Sequence, residues 1–326
     1  MGDDKLDRRG FVRGSMAALA GAVLTRGGAR TVVASQTTAP AVGRLHPVRL
    51  GAPVFEKTDD PEQLARAHRA VGYRAAYCPP VELNDTERIR AITEAYARND
   101  VVIAEVGRWC NLLDADPAKR AANLKRVTEG LALADALGAL CCVNIAGSFN
   151  PDVWYGPHPD NVTDRFFEAV VENARTIIDA VKPKRARFCY EMMGWSLPDS
   201  PDAALKLLKA IDRPAYGIHL DPCNLVNSPR RFYRNAALLD ECFDTLGPWI
   251  VSCHAKDLTW DVEMNVHFRE VPCGDGALNY ATYLRRLAQL GHDVPLMIEH
   301  CDGPAQYARA RTHLQKLASE VGVDFG

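Results

Sequence analysis

From residue 46 onward the chain alternates short apolar runs with longer amphipathic stretches, and the alternation repeats eight times. The apolar runs predict strands at Val48 to Phe55, Ala75 to Pro79, Val101 to Val106, Leu140 to Ile145, Arg187 to Met192, Tyr216 to Asp221, Ile250 to Ala255 and Pro295 to His300. Runs this short and continuous suit strands buried on both faces. The stretches between them space apolar residues by three and four, which predicts helices. In Ala121 to Leu137, for example, Leu124, Val127, Leu131 and Leu137 fall near one face. Asp60-Pro61, Asp85 with Glu87, and Ser200-Pro201-Asp202 supply oxygen-bearing caps at helix starts.

Eight β-then-α units over residues 46–326 predict an α/β fold: a single-domain (β/α)8 TIM barrel. A doubly wound open sheet is the competing arrangement, but the first strand lacks the G-x-G-x-x-G turn that would support a dinucleotide site. Residues 1–45 break the pattern. Arg8-Arg9-Gly10-Phe11-Val12 followed by the small and apolar run Gly14 to Leu24 reads as a twin-arginine export signal, with small-residue cleavage sites after Ala34 and Ala41. The run is too short to span a bilayer. The expected location is therefore periplasmic, or cytoplasmic if the motif is unused.

Charge changes the picture once the leader is set aside. The whole chain carries −2, but its first 45 residues hold seven basic and three acidic residues, leaving 32 basic against 38 acidic and a body charge of −6. An acidic body is a poor partner for a phosphate backbone, which argues against nucleic acid as a substrate. The ten cysteines include no C-x-x-C pair and mostly sit inside apolar runs (Cys78, Cys141, Cys142, Cys189, Cys253, Cys301), so they read as small buried hydrophobes.

If the barrel is right, chemistry lies at the C-terminal ends of the strands. Strand five ends in Glu191, strand six in Asp221, strand seven passes through His254, and strand eight ends in Glu299. A charge inside an apolar run costs several kcal/mol unless it is paired or bound to a metal. Three carboxylates meeting in one mouth would also repel each other, and one divalent cation resolves both problems. Three carboxylates and one imidazole make an oxygen-rich set that suits Mn first, Mg or Co next, and Zn less. A metal chelating adjacent hydroxyl and carbonyl oxygens of a sugar acidifies the hydrogen between them and stabilises an enediolate. Glu191 and Glu299 then form the acid/base pair. Lys256 and His219 are candidates for holding the developing oxyanion or a hydroxyl.

At these residues the chain resembles the xylose isomerase-like superfamily, particularly its sugar phosphate isomerase/epimerase members, which include ketose epimerases and inosose dehydratases. The resemblance rests on Ile103-Ala104-Glu105-Val106-Gly107-Arg108-Trp109, His219-Leu220-Asp221-Pro222-Cys223-Asn224, Cys253-His254-Ala255-Lys256-Asp257, Gly274-Asp275-Gly276-Ala277-Leu278-Asn279 and Met297-Ile298-Glu299-His300. It implies Glu191, Asp221, His254 and Glu299 as metal ligands, with the two glutamates as acid and base. Where ketose epimerases of that group carry a substrate-binding His, a Glu and an Arg, this chain has Asn224, Leu197 and Trp260, which points away from simple free ketoses. Asn224, Arg269 and Glu270 are then candidate substrate contacts. Trp109, Trp154, Trp195 and Trp260 fall in loops after strands, where indole faces can stack on sugar rings.

The expected activity is metal-dependent isomerisation or epimerisation of a sugar or keto-sugar derivative. The nearest alternative is a β-eliminating lyase on oxidised (3-keto) glycosides or a dehydratase. An endonuclease-type hydrolase and a non-catalytic sugar-binding barrel are further alternatives. The expected partner is a small carbohydrate, without stable membrane insertion, and a homo-oligomer is compatible with the sequence.

Overall fold

In the computed structural model, which describes residues 45–326, eight parallel strands close on themselves. They are β1 (Arg49–Gly51), β2 (Ala75–Tyr77), β3 (Val102–Gly107), β4 (Cys141–Asn144), β5 (Arg187–Glu191), β6 (Tyr216–Leu220), β7 (Ile250–Ala255) and β10 (Pro295–Ile298), with β1 pairing with both β2 and β10. Between the last two, β8 (Asp257–Trp260) and β9 (Phe268–Val271) form an antiparallel hairpin that the apolar pattern did not show. The helices are α1 (Pro61–Ala70), α2 (Thr86–Arg98), α3 (Pro117–Leu137), α4 (Asp164–Val181), α5 (Pro201–Ile211), α6 (Pro229–Tyr233), α7 (Asn235–Leu246), α8 (Tyr280–Ala288) and α9 (Gly303–Val321). The expected (β/α)8 barrel is the fold, while the leader expected before it lies outside the described residues. No described helix is long and apolar enough to cross a membrane.

Local chemistry sets the element ends. Asp60 accepts from the backbone N–H of Glu62 and Gln63, Asp85 from that of Arg88, and Ser200 from that of Ala203, each cap stabilising its helix by about 1 kcal/mol. Helix α3 starts earlier than its apolar spacing suggested, because Asp116 caps it and Pro117 fits its first turn. Val127, Leu131 and Leu137 are buried, whereas Leu124 is half-buried at the core edge. The first strand is much shorter than Val48 to Phe55, since only Arg49–Gly51 pairs with β10 and, of these, Gly51 alone also pairs with β2. All ten cysteines are free thiols; eight are buried, while Cys78 and Cys301 are half-buried.

Two register shifts position the site. Between β2 and β3 the pairing steps from Ala76↔Ile103 to Tyr77↔Glu105, so β3 carries one extra residue, and β7 gains one against β6 between Ile218↔Ile250 and His219↔Ser252. Such bulges re-aim side chains locally. Val101 and Ile103 belong to the core that the helices cover. Strict alternation from them would put Glu105 outside the barrel, and the bulge turns it inward.

Candidate metal centre

Glu191 ends β5, Asp221 follows β6, His254 lies on β7 and Glu299 follows β10, four neighbours around the ring. One ligand atom from each lies within 4.8 Å of every other. His254 Nδ1 stands 3.0 Å from Glu191 Oε1, 3.0 Å from Glu299 Oε2 and 3.8 Å from Asp221 Oδ2. Asp221 is fixed by its own turn: Oδ1 accepts from the backbone N–H of Cys223 (3.0 Å) and Asn224 (3.4 Å), leaving Oδ2 for the cluster. Asn224 donates through Nδ2 to Met192 O (3.0 Å) and, at 3.4 Å, to Glu191 Oε1.

Lys256 supplies the counter-charge. Its Nζ is buried 2.9 Å from Asp221 Oδ2, 3.0 Å from Glu299 Oε1 and 3.2 Å from Glu270 Oε1. Asp221 Oδ2 and Glu299 Oε1 are buried with this ion pair but without a hydrogen bond. Carboxylate oxygens with unfilled hydrogen-bonding capacity, gathered beside an imidazole nitrogen, are what a divalent cation would satisfy, so the residues present fit the group. Burial, with Glu299 and Glu191 nearby, raises the Asp221 carboxyl to about 7 despite Lys256. Burial disfavours the His254 imidazolium, but Glu299, Glu105 and Glu191 outweigh it and hold the ring well above the usual histidine range.

Beneath this cluster lies a layer that the reading of strand ends passed over. Glu105, fully buried, places Oε1 3.2 Å from His254 Nε2 and Oε2 2.7 Å from His219 Nε2, and Ser252 Oγ donates to Oε2 at 3.2 Å. Glu105 therefore holds a proton on His254 Nε2 and leaves Nδ1 to face the carboxylates. Burial opposes this carboxylate, but His219 and His254 hold it well below the ordinary range. Like the other carboxylates it stands in an apolar run, Val101 to Val106, but strict alternation along β3 would send its side chain outward.

His219 does not line the mouth. It precedes Asp221 by two residues on the same side of β6 and so lies one layer deeper, its ring edge-on to His254 at 4.2 Å between centroids. Arg269 and Glu270 are adjacent on β9 and face opposite ways: Glu270 turns in to Lys256 and His300, whereas Arg269 turns out to Asp261. Trp195 and Trp260 are exposed and lie off the cavity, while Trp109 and Trp154 are on its wall. The Gly274 to Leu278 stretch is structural. Asp257 accepts from the N–H of Gly274, Gly276, Leu278 and Leu258, and a Cβ at Gly276 would come within 2.3 Å of its Oδ1.

The cluster opens into a cavity of about 1160 Å³ bordered by Tyr77, Trp109, Met193, Asn224, Glu270 and His300. The family model for the xylose isomerase-like TIM barrel matches residues 58–317. The chain belongs to this family. Within it, the chain is similar to the L-ribulose-5-phosphate 3-epimerase of Salmonella typhi, 24% identical over 240 residues that cover 72% of this chain and 78% of the relative. Two solved barrels share the fold. A xylose isomerase-like TIM barrel protein from Mycobacterium smegmatis, in complex with magnesium, has a TM-score of 0.59 at 17% identity and covers 85% of this chain and 97% of its own. A 3-keto-D-glucoside 4-epimerase from E. coli has a TM-score of 0.58 at 12% identity and covers 83% and 99%. Both the Salmonella relative and the E. coli barrel are sugar epimerases, which supports an enzyme in this xylose isomerase-like barrel.

Replacing Glu105 with Gln tests its role directly. The Glu105→Gln protein is expected to bind Mn²⁺ about 10–100-fold more weakly by calorimetric titration, because the His254 ring loses the carboxylate that orients it. Unchanged affinity would make Glu105 a packing residue only.

Proposed function

We propose that the chain is a divalent-metal-dependent sugar epimerase or isomerase in which Glu191, Asp221, His254 and Glu299 hold the metal and the two glutamates move the proton. The convergence of three carboxylates, Glu191 and Asp221 buried and Glu299 half-buried, on His254 Nδ1 carries this reading. The ligand set favours Mn, with Mg or Co next. A cation held there would polarise adjacent hydroxyl and carbonyl oxygens of a sugar and make the hydrogen between them acidic.

The chain's own groups supply the rest. Glu191 and Glu299 are separated in the ring by β6 and β7, so they approach the reacting carbon from two sides; one takes its proton and the other returns one. Lys256 Nζ, already between Asp221 and Glu299, lies where an oxygen gaining negative charge needs a donor. Asn224 steadies Glu191. The small carbohydrate substrate, the homo-oligomer and export through the residues 1–45 leader belong to the same proposal, with 46–326 as the catalytic barrel.

Solvent exchange tests it. Mn-loaded protein in deuterium oxide is expected to place deuterium on the carbon beside the carbonyl of a keto-sugar, read by NMR, without releasing any group from that sugar. Release of an aglycone or water with no deuterated sugar recovered would replace epimerisation by elimination.

A further inference from the structure

The metal-side groups occupy only part of the cavity. Glu191, His254, Lys256 and Glu299 come from β5, β7 and β10 and the residues beside them, on one arc of the ring. The segments following β2, β3 and β4 build the opposite wall, and there the lining changes to Leu83, Trp109, Trp154 and Tyr155. Leu83, Trp109 and Tyr155 leave 37%, 39% and 48% of their surface uncovered although each is large and mainly apolar. Open apolar surface on a cavity wall is surface a ligand can cover.

The wall is held in place. A Cβ at Gly107 would come within 2.7 Å of Trp109 Nε1, so the glycine lets that indole fold back over the strand end, its ring 6.3 Å from His254. Trp154 meets Tyr155 edge to face at 5.3 Å. The lining also includes Arg108 and Arg126, but Glu82 and Glu129 match them in number, so it offers no net positive charge to select a phosphate. The volume of about 1160 Å³ matches or exceeds the range of about 300–1,000 Å³ common for pockets that enclose drug-sized ligands, far more than one sugar ring fills.

We propose that the substrate has two parts: a carbonyl-bearing sugar at the acidic pole and an uncharged aryl-type group, joined to it, against the Leu83, Trp109 and Tyr155 wall. This rests on the epimerase reading above and narrows its substrate to an aryl glycoside rather than a free or phosphorylated monosaccharide.

Phenyl and methyl β-D-glucopyranoside serve as probes, titrated calorimetrically into Mn-loaded protein. The phenyl glycoside is expected to bind about tenfold more tightly or better, the effect of covering one ring. A Leu83→Ala/Tyr155→Ala double variant, confirmed as folded by circular dichroism, is expected to bring the two affinities to within about twofold of each other. Equal affinities in the parent protein, a preference that survives the double substitution, or no binding of either probe overturns the proposal. Neither probe carries a carbonyl, so the result does not depend on turnover. A tenfold preference in a protein that exchanges no keto-sugar hydrogen would sink the epimerase reading and leave the aryl wall standing, and exchange without preference would do the reverse.

Discussion

A Glu299→Gln protein loaded with Mn²⁺ will still wash solvent deuterium into one of two epimers but will interconvert them about 10²- to 10⁴-fold more slowly than the parent. The amide keeps an oxygen near His254 Nδ1, where Glu299 Oε2 now stands at 3.0 Å, but it can neither take nor return a proton. Glu191 then still takes the hydrogen that faces it and exchanges it, while delivery to the opposite face stops. Glu191→Gln should give the mirror result, exchanging only the other epimer. The complementary pattern matters more than the size of either loss, since loss of metal alone would abolish exchange of both epimers in both variants. Following each epimer separately by NMR, at Mn²⁺ concentrations that saturate the variants, distinguishes the two outcomes.

Lys256→Met is expected to destabilise the metal-free protein by about 3–5 kcal/mol, because it leaves buried carboxylates without their cation. The ammonium stands within 3.2 Å of buried Asp221, half-buried Glu299 and the more open Glu270. Burial works against its charge, yet Asp221, Glu299, Glu191 and Glu270 hold the amine well above the usual lysine range. Bound Mn²⁺ would replace the missing charge, so thermal unfolding should show a midpoint several degrees lower in the metal-free variant and a larger rise on adding Mn²⁺ than in the parent. An equal drop with and without metal would mean that Lys256 acts through packing rather than charge. Activity should fall in the same variant, since the donor for the developing oxyanion is gone.

The barrel and the four converging residues were legible because a parallel barrel needs little beyond counting: once the strands are placed, whatever stands at their C-terminal ends shares one mouth. Details that depend on alternation were harder. Ser252, His254 and Lys256 follow each other at two-residue spacing, which sets Lys256 on the same face as His254. The same spacing would have placed His219 a layer below Asp221, away from substrate. Glu105 escaped because an extra residue in β3 reverses its side, and a bulge leaves no mark in hydropathy. The β8–β9 hairpin is hidden because its two strands are short and its tip, Val262 to Val266, carries its apolar residues into solvent rather than into the core. The aromatic wall depends on how loops after three different strands meet, which no local pattern encodes.

The central claim is that one divalent ion sits among Glu191, Asp221, His254 and Glu299. Crystals soaked in Mn²⁺ and measured at an anomalous wavelength test it most directly. A single strong peak is expected about 2.0–2.6 Å from one oxygen of each carboxylate and from His254 Nδ1, with Glu105 still on Nε2. No peak there, or one held by His254 Nε2 with Glu105 and His219, would contradict it.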